Sequence, residues 1–468
     1  MEEEFEFDFN EDPKFSVERY EEMIRNHDQY FFDAQAFENI IDYYIEKNDP
    51  ARALQVTEYA RNQHPFAAVF LIKQAQLLVV NNRIAEALTC LEKAEMLEAS
   101  DADIYIIRGN LFENLERFSE ALENYEKALT LAEETDDILL HIAYVHQNMG
   151  DYDTAITYLK QCLEQNMENQ DALYELAFCY DVMDNQEESV QFYQQYIDNE
   201  PYSYAAWYNL GNAFTKLNLF EKAIDAYDYA ILIKDSFASA YFNKGNALVN
   251  LEKYQEAIDV YRQTFEYEQP NADTYCAIGE CYEKLEQMDE ARAFYKKAVK
   301  MDSKLGDAWF GIGVTLDFEE RYFEALHFYK KALDLDIANA DYWFAIADAE
   351  YKLGHMPEAE AAYEKVVELN PLDVDAWLDY SSILYEQTRL ADAIEIIVQA
   401  IKNNPEAAEL YYRMVAYLFA KGEYNEALSQ LELALSSDPE KYHILFDYLP
   451  QLQQNKVILD IINRYANK

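Results

Sequence analysis

The chain has 468 residues, 50% of them hydrophobic, and only 10 Gly and 10 Pro, which excludes a turn-rich β architecture and favours helices joined by short turns. Its 89 Asp and Glu against 38 Lys and Arg give a net charge of −51, which repels phosphate backbones and anionic lipid surfaces. Neither nucleic acid nor a membrane is therefore expected as a partner.

At the start, Met1-Glu2-Glu3-Glu4 is acidic and no apolar stretch succeeds it. No secretory signal is expected, no apolar run approaches the ~18 residues of a membrane span, and a soluble, cytoplasmic protein is predicted. Residues 1–13 hold seven carboxylates around the alternating run Phe5-Glu6-Phe7-Asp8-Phe9. Two readings stand: a solvated acidic tail, or an acidic-aromatic segment ordered by a basic partner. Ser16 to Asn26 are expected to form a short helix that caps the first of the later helices, so residues 1–33 make an N-terminal flank.

From Ala34 onward the sequence repeats. In a 34-residue frame starting there, Trp207, Trp309, Trp343 and Trp377 all fall at position 4. Gly109, Gly211, Gly245, Gly279 and Gly313 share position 8, where a missing side chain lets two helices approach; Gly150, Gly354 and Gly422 share position 15, in the turn between them. Position 20 is Ala in eleven of twelve repeats, with Ser189 the exception, and Pro65, Pro201, Pro371, Pro405 and Pro439 share position 32, where proline ends a helix. The twelve repeats start at 34, 68, 102, 136, 170, 204, 238, 272, 306, 340, 374 and 408 and run without insertion through residues 34–441.

The pattern Trp207, Leu210, Gly211, Phe214, Ala223, Tyr227 resembles the tetratricopeptide repeat family, with Asp235 where the family often has proline. Ile41, Ser381 and Val415 depart from small residues at position 8, and Tyr196 and Val366 are large at position 27. The resemblance implies an all-α fold: a right-handed superhelical solenoid of antiparallel helix hairpins whose first helices line a concave groove. Residues 442–468 continue the frame as a degenerate unit, with Leu445, Tyr448, Ile458, Ile461 and Tyr465 at core positions and Pro450 breaking its first helix. That unit either caps the last hairpin or forms a homodimer surface.

No catalytic constellation is found, and no cofactor, metal or enzymatic activity is expected. His141 and His146 are five apart, not the four of a helical metal pair; the phosphate-cradle, zinc-protease and nucleophile-elbow motifs are absent. Cys90, Cys162, Cys179, Cys276 and Cys281 are odd in number, scattered, and expected to be buried thiols. Asp8, Asn10 and Asp12 begin like a calcium loop, but Pro13 stands where glycine is required.

By the family resemblance, positions 2, 5, 9 and 12 face the groove. They place there Tyr174, Tyr208, Phe242, Phe310, Phe344 and Tyr412 at position 5, and Tyr144, Phe178, Asn212 and Asn246 at position 9. Aromatics can anchor apolar side chains, and asparagine amides can hold a peptide at donor and acceptor. The alternative is that position 5 packs on its neighbouring helix. Positions 5, 9 and 12 hold no Lys or Arg, so the family's carboxylate clamp for acidic tails is absent. A row at position 2, including Asp103, Asp137, Asp171, Asp273, Asp307, Asp341, Asp375 and Glu409, either tracks a basic peptide or, as the stronger explanation, caps or complements the N-terminus of each first helix. The expected function is a protein-interaction scaffold holding an apolar, neutral-to-basic protein segment. Alternatives are an assembly subunit acting through the convex face or C-terminal helix, and a chaperone-like holder of a basic client.

Overall fold

The computed structural model describes residues 13–466; the acidic-aromatic run lies outside them. Among the described residues every regular element is helical. The chain divides into two compact units, Met1–Asp235 and Ser236–Lys468, and in each the helices stack as successive antiparallel hairpins.

The first helices begin at Ala34, Ala68, Ala102, Asp136, Gln170, Tyr204, Ala238, Ala272, Gly306, Ala340, Val374 and Ala408. Each therefore opens at position 1 of the sequence frame. Side-chain caps come from one residue earlier: Asp33, Asp101, Asn169, Ser203, Asn271, Asn339 and Asp373 accept first-turn amide protons. The position-2 acids are thus not the caps themselves. Asp103, Asp171, Asp273, Asp341 and Asp375 sit in first turns, where a negative charge complements the helix dipole.

The turn inside each hairpin has one conformation. Position 15 is left-handed in all twelve, with φ of 55° to 63° at nine non-glycine residues, among them Glu116, Asn218 and Thr388, and 77° to 87° at Gly150, Gly354 and Gly422. The next amide then donates to the carbonyl five residues back, as in Arg117 to Phe112 (2.8 Å) and Arg389 to Leu384 (2.9 Å). This satisfies a helix-end carbonyl that would otherwise be orphaned. Glycine is the least strained occupant of this site but not the only one.

Between the two helices of a hairpin the core is a small-against-large pairing. A Cβ on Gly109 would stand 2.5 Å from the Tyr125 ring, and one on Gly279 would stand 2.8 Å from Tyr295. All five position-8 glycines face a position-24 tyrosine in this way. At the three departures from a Gly or Ala at position 8, position 24 is smaller than tyrosine: Ile41 goes with Thr57, Ser381 with Ile397, Val415 with Leu431. The departures that looked disruptive conserve volume, as close-packed interiors require. The position-20 alanines, Ala53 through Ala427, are fully buried.

The position-4 tryptophans lock the joint between hairpins. The indole N–H donates to a carbonyl six residues upstream: Trp207 to Pro201 (2.9 Å), Trp309 to Ser303 (3.0 Å), Trp343 to Ile337 (2.9 Å) and Trp377 to Pro371 (2.9 Å).

The flanks pack on the array. Helix Pro13–Asn26 buries Val17, Tyr20 and Met23 with Phe37, Ile40 and Ile41 of the first hairpin. After Ser437, short helical turns surround His443–Tyr448, Pro450 begins another, and Lys456–Ala466 packs on the last hairpin. Leu445, Ile458 and Ile461 are buried as expected. Tyr448 is not: its ring is partly exposed and covers the Arg413 guanidinium at 3.9 Å, exchanging core burial for a cation–π contact.

Candidate functional site

In both units the first helices of successive hairpins touch one another, as Gln170–Val182 does Tyr204–Lys216 and Ala272–Lys284 does Gly306–Phe318, whereas the second helices make no comparable contact. The first helices therefore line the inner side of each stack. The groove residues fall on both units, Tyr144, Tyr174, Phe178, Tyr208 and Asn212 on the first and Phe242, Asn246, Phe310, Phe344 and Tyr412 on the second.

On the first unit Tyr144, Tyr174 and Tyr208 are half-buried and Phe178 is 50% exposed, edge-on to Tyr152. Burial, then the phenols of Tyr204 and Tyr208, pushes the Tyr174 hydroxyl up to about 12. Burial and the carboxylates of Glu175, Asp171 and Glu113 raise Tyr144 in the same way. The face is aromatic and electronegative together.

On the second unit Phe242, Phe310 and Phe344 are half-buried because each leans on a position-24 ring: Tyr261 at 5.5 Å, Tyr329 at 5.3 Å and Tyr363 at 5.6 Å. The packing role of position 5 is thus real; Phe310 also meets the Tyr342 ring at 5.0 Å, and all three rings stay partly exposed. Tyr412 leaves the set altogether: it is fully buried and its hydroxyl donates to the Asp438 carbonyl (2.8 Å), so it is a core residue of the last hairpin. The asparagines are also tied to the core: the Tyr227 hydroxyl donates to Asn212 Oδ1 (2.8 Å) and that of Tyr261 to Asn246 Oδ1 (2.6 Å), so each amide oxygen already accepts one hydrogen bond. Asn110 does the same for Tyr125 (2.6 Å).

Carboxylates crowd the second unit's inner side. Burial, then Asp307 and Glu283, raises Glu280 against a thiol hydrogen bond from Cys276; burial raises Glu283, which accepts from the Tyr295 hydroxyl (2.8 Å). Asp379, at position 6 and outside the sequence-based set, is pushed up to about 6 by burial and by Asp348, Asp375 and Asp373, with Arg413 opposing. Lys352 reaches back to Asp317 (2.8 Å) and Asp348 (2.7 Å) and lies 5.0 Å from the Tyr322 ring centre.

Sequence models described as tetratricopeptide repeat match residues 72–135 and 344–408, 229–304, 204–237 and 384–446, together more than half of the chain. The chain belongs to the tetratricopeptide repeat family. A model described as anaphase-promoting complex, cyclosome, subunit 3 matches residues 114–196. No curated protein matches the sequence. Among solved structures, the crystal structure of YrrB, a tetratricopeptide repeat protein with an unusual peptide-binding site, is similar at 25% identity, covering 39% of this chain and 95% of that one, with a TM-score of 0.33. The Cut9–Hcn1 hetero-tetramer of the anaphase-promoting complex is similar at 14% identity over 85% of this chain and 90% of that one, with a TM-score of 0.43. Neither superposes closely enough to transfer a binding site.

As a tetratricopeptide repeat protein the chain is a protein–protein interaction scaffold. His141 stacks on Tyr125 (5.6 Å) and His146 on Tyr158 (5.6 Å), and all five cysteines are buried free thiols. No helix among the described residues is long and apolar enough to cross a membrane. An open pocket of about 810 Å³ lies at the C-terminal end, lined by Tyr385, Phe419, Tyr424, Leu452, Gln451 and Asn455 among others.

Proposed function

We propose that this tetratricopeptide repeat protein holds an extended, apolar, neutral-to-basic segment of another protein on the inner helix faces of its units. The observation that carries this reading is the row of aromatic side chains left half-open on first helices, Tyr144, Tyr174, Phe178 and Tyr208 in one unit and Phe310 and Phe344 in the other. Rings leaning on the core are held in place before a ligand arrives, which lowers the ordering cost of binding. Lys and Arg are absent from positions 5, 9 and 12, and Lys352 beside them is already engaged by Asp317 and Asp348, so an acidic ligand meets repulsion and a basic one attraction. Five free, buried thiols suit a reducing compartment such as the cytoplasm.

Affinity capture from cell extract with the full chain and with a Tyr174→Ala/Tyr208→Ala variant tests the reading. The variant should retain its helical circular dichroism and lose the partner that the parent chain recovers. Equal recovery by both would remove the first unit's aromatic row from the binding surface.

A further inference from the structure

Four consecutive first helices of the second unit carry an ordered chemical pattern. Ala272–Lys284 bears Glu280 and Glu283, Gly306–Phe318 bears Phe310, Ala340–Lys352 bears Phe344, and Val374–Glu386 bears Asp379. The order is acid, ring, ring, acid. Among the described residues no Lys or Arg nitrogen lies within 4.0 Å of the Glu280, Glu283 or Asp379 carboxylates; Lys284 and Arg413 act on them only from farther away. Each end therefore sits among like charges, Glu280 beside Asp307 and Glu283 and Asp379 beside Asp348, Asp375 and Asp373, with no close cation of its own.

The chain itself displays the complementary interaction between the two rings' helices. The Lys352 ammonium bridges Asp317 of one first helix and Asp348 of the next, beside the Tyr322 ring. That is how a primary ammonium sits on this wall when one is supplied. Inner helices ~8–10 Å apart put the two outer acids about 25–30 Å from each other. An extended chain rising ~3.3 Å per residue covers that span in about eight or nine residues.

We propose that the second unit's inner face selects an extended protein segment with a Lys or Arg side chain at each end, about eight or nine residues apart, and apolar side chains between them. The terminal cations meet Glu280 and Glu283 at one end and Asp379 at the other, and the apolar side chains lie on Phe310 and Phe344. This rests on the scaffold reading above and specifies its partner.

The probes are three fluorescein-labelled synthetic peptides followed by anisotropy against the full-length chain: one with lysines nine residues apart flanking two leucines in a Gly/Ser/Thr background, one with those lysines changed to glutamate, and one with the leucines changed to serine. The first should bind, and each change should weaken it at least tenfold. A Glu280→Gln/Glu283→Gln/Asp379→Asn variant should lose at least tenfold for the lysine peptide, and a Phe310→Ser/Phe344→Ser variant should lose binding, each with unchanged helical circular dichroism. Raising salt from about 50 to 500 mM should weaken the lysine peptide, since its end contacts are between charges in water. Equal binding of the lysine and glutamate peptides would overturn the charge selection while leaving an aromatic docking face, and no binding of the lysine peptide at 1 mM would overturn the proposal outright. The affinity-capture variant changes first-unit residues, so either reading can fail alone.

Discussion

At the scale of single residues, the pairing of position 8 with position 24 decides how close the two helices of a hairpin come. Gly245 lies under the Tyr261 ring with no room for a Cβ, so Gly245→Ala should cost about 1–3 kcal/mol in urea unfolding, outweighing the ~1 kcal/mol that alanine gains in helix propensity. Adding Tyr261→Leu to that variant recreates the Ala/Leu pairing of Ala75 with Leu91 and should restore part of the loss; a neutral single substitution would show that the contact is not tight. Asp379 supplies a pH-dependent test. Its carboxyl is raised to about 6 in the fold, above the ordinary aspartate value of 3.8, so the folded state binds its proton more tightly than the unfolded state does. The stability this gives is present below pH 4 and is lost as pH rises through about 6. Asp379→Asn should accordingly raise the melting temperature at pH 7.5 and leave it nearly unchanged at pH 4, by differential scanning calorimetry; equal effects at both pH values would refute the carboxylate crowding.

At the scale of the element, the hairpin turn shows how much the sequence discloses. The repeat period and helix starts were readable from Trp, Gly, Ala and Pro phases, because each recurring residue meets one recurring backbone need. The recurring left-handed site at position 15 was only a quarter visible, since three hairpins use glycine there and nine force Asn, Asp, Glu or Thr into the same conformation. Thr388 is the most strained of these, β-branched with φ of 63°. Thr388→Gly should stabilise the chain by about 1 kcal/mol in chemical unfolding, and destabilisation would mean that the turn is held by the threonine side chain. The binding face was less legible. Aromatic identity at position 5 was plain, but Tyr412 reads like Tyr208 in sequence and is buried only because the chain after the last hairpin folds back over it. Asn212 and Asn246 likewise read as free amides, when each carbonyl already accepts from a tyrosine fifteen residues on. Asp379 escaped notice because it lies off the expected stripe, and only the packing of neighbouring first helices brings Asp348 near it.

At the scale of the whole molecule, the tyrosine that packs from position 24 against position 8 has a spectroscopic consequence. Burial, first of all, holds the hydroxyls of Tyr125, Tyr261, Tyr295, Tyr329 and Tyr363 far above the ordinary phenol value, so these rings resist ionisation while the hairpins are closed. A phenol whose folded value exceeds its unfolded one stabilises the fold below pH 10 and withdraws that stability as alkali is added. Absorbance of phenolate at 295 nm should therefore rise in two stages: a shallow one from surface tyrosines, then a steep one coinciding with loss of helical circular dichroism. Helix retained through the full titration would contradict the buried stack. The same rings that set the distance between helices make the chain its own optical indicator of unfolding in base.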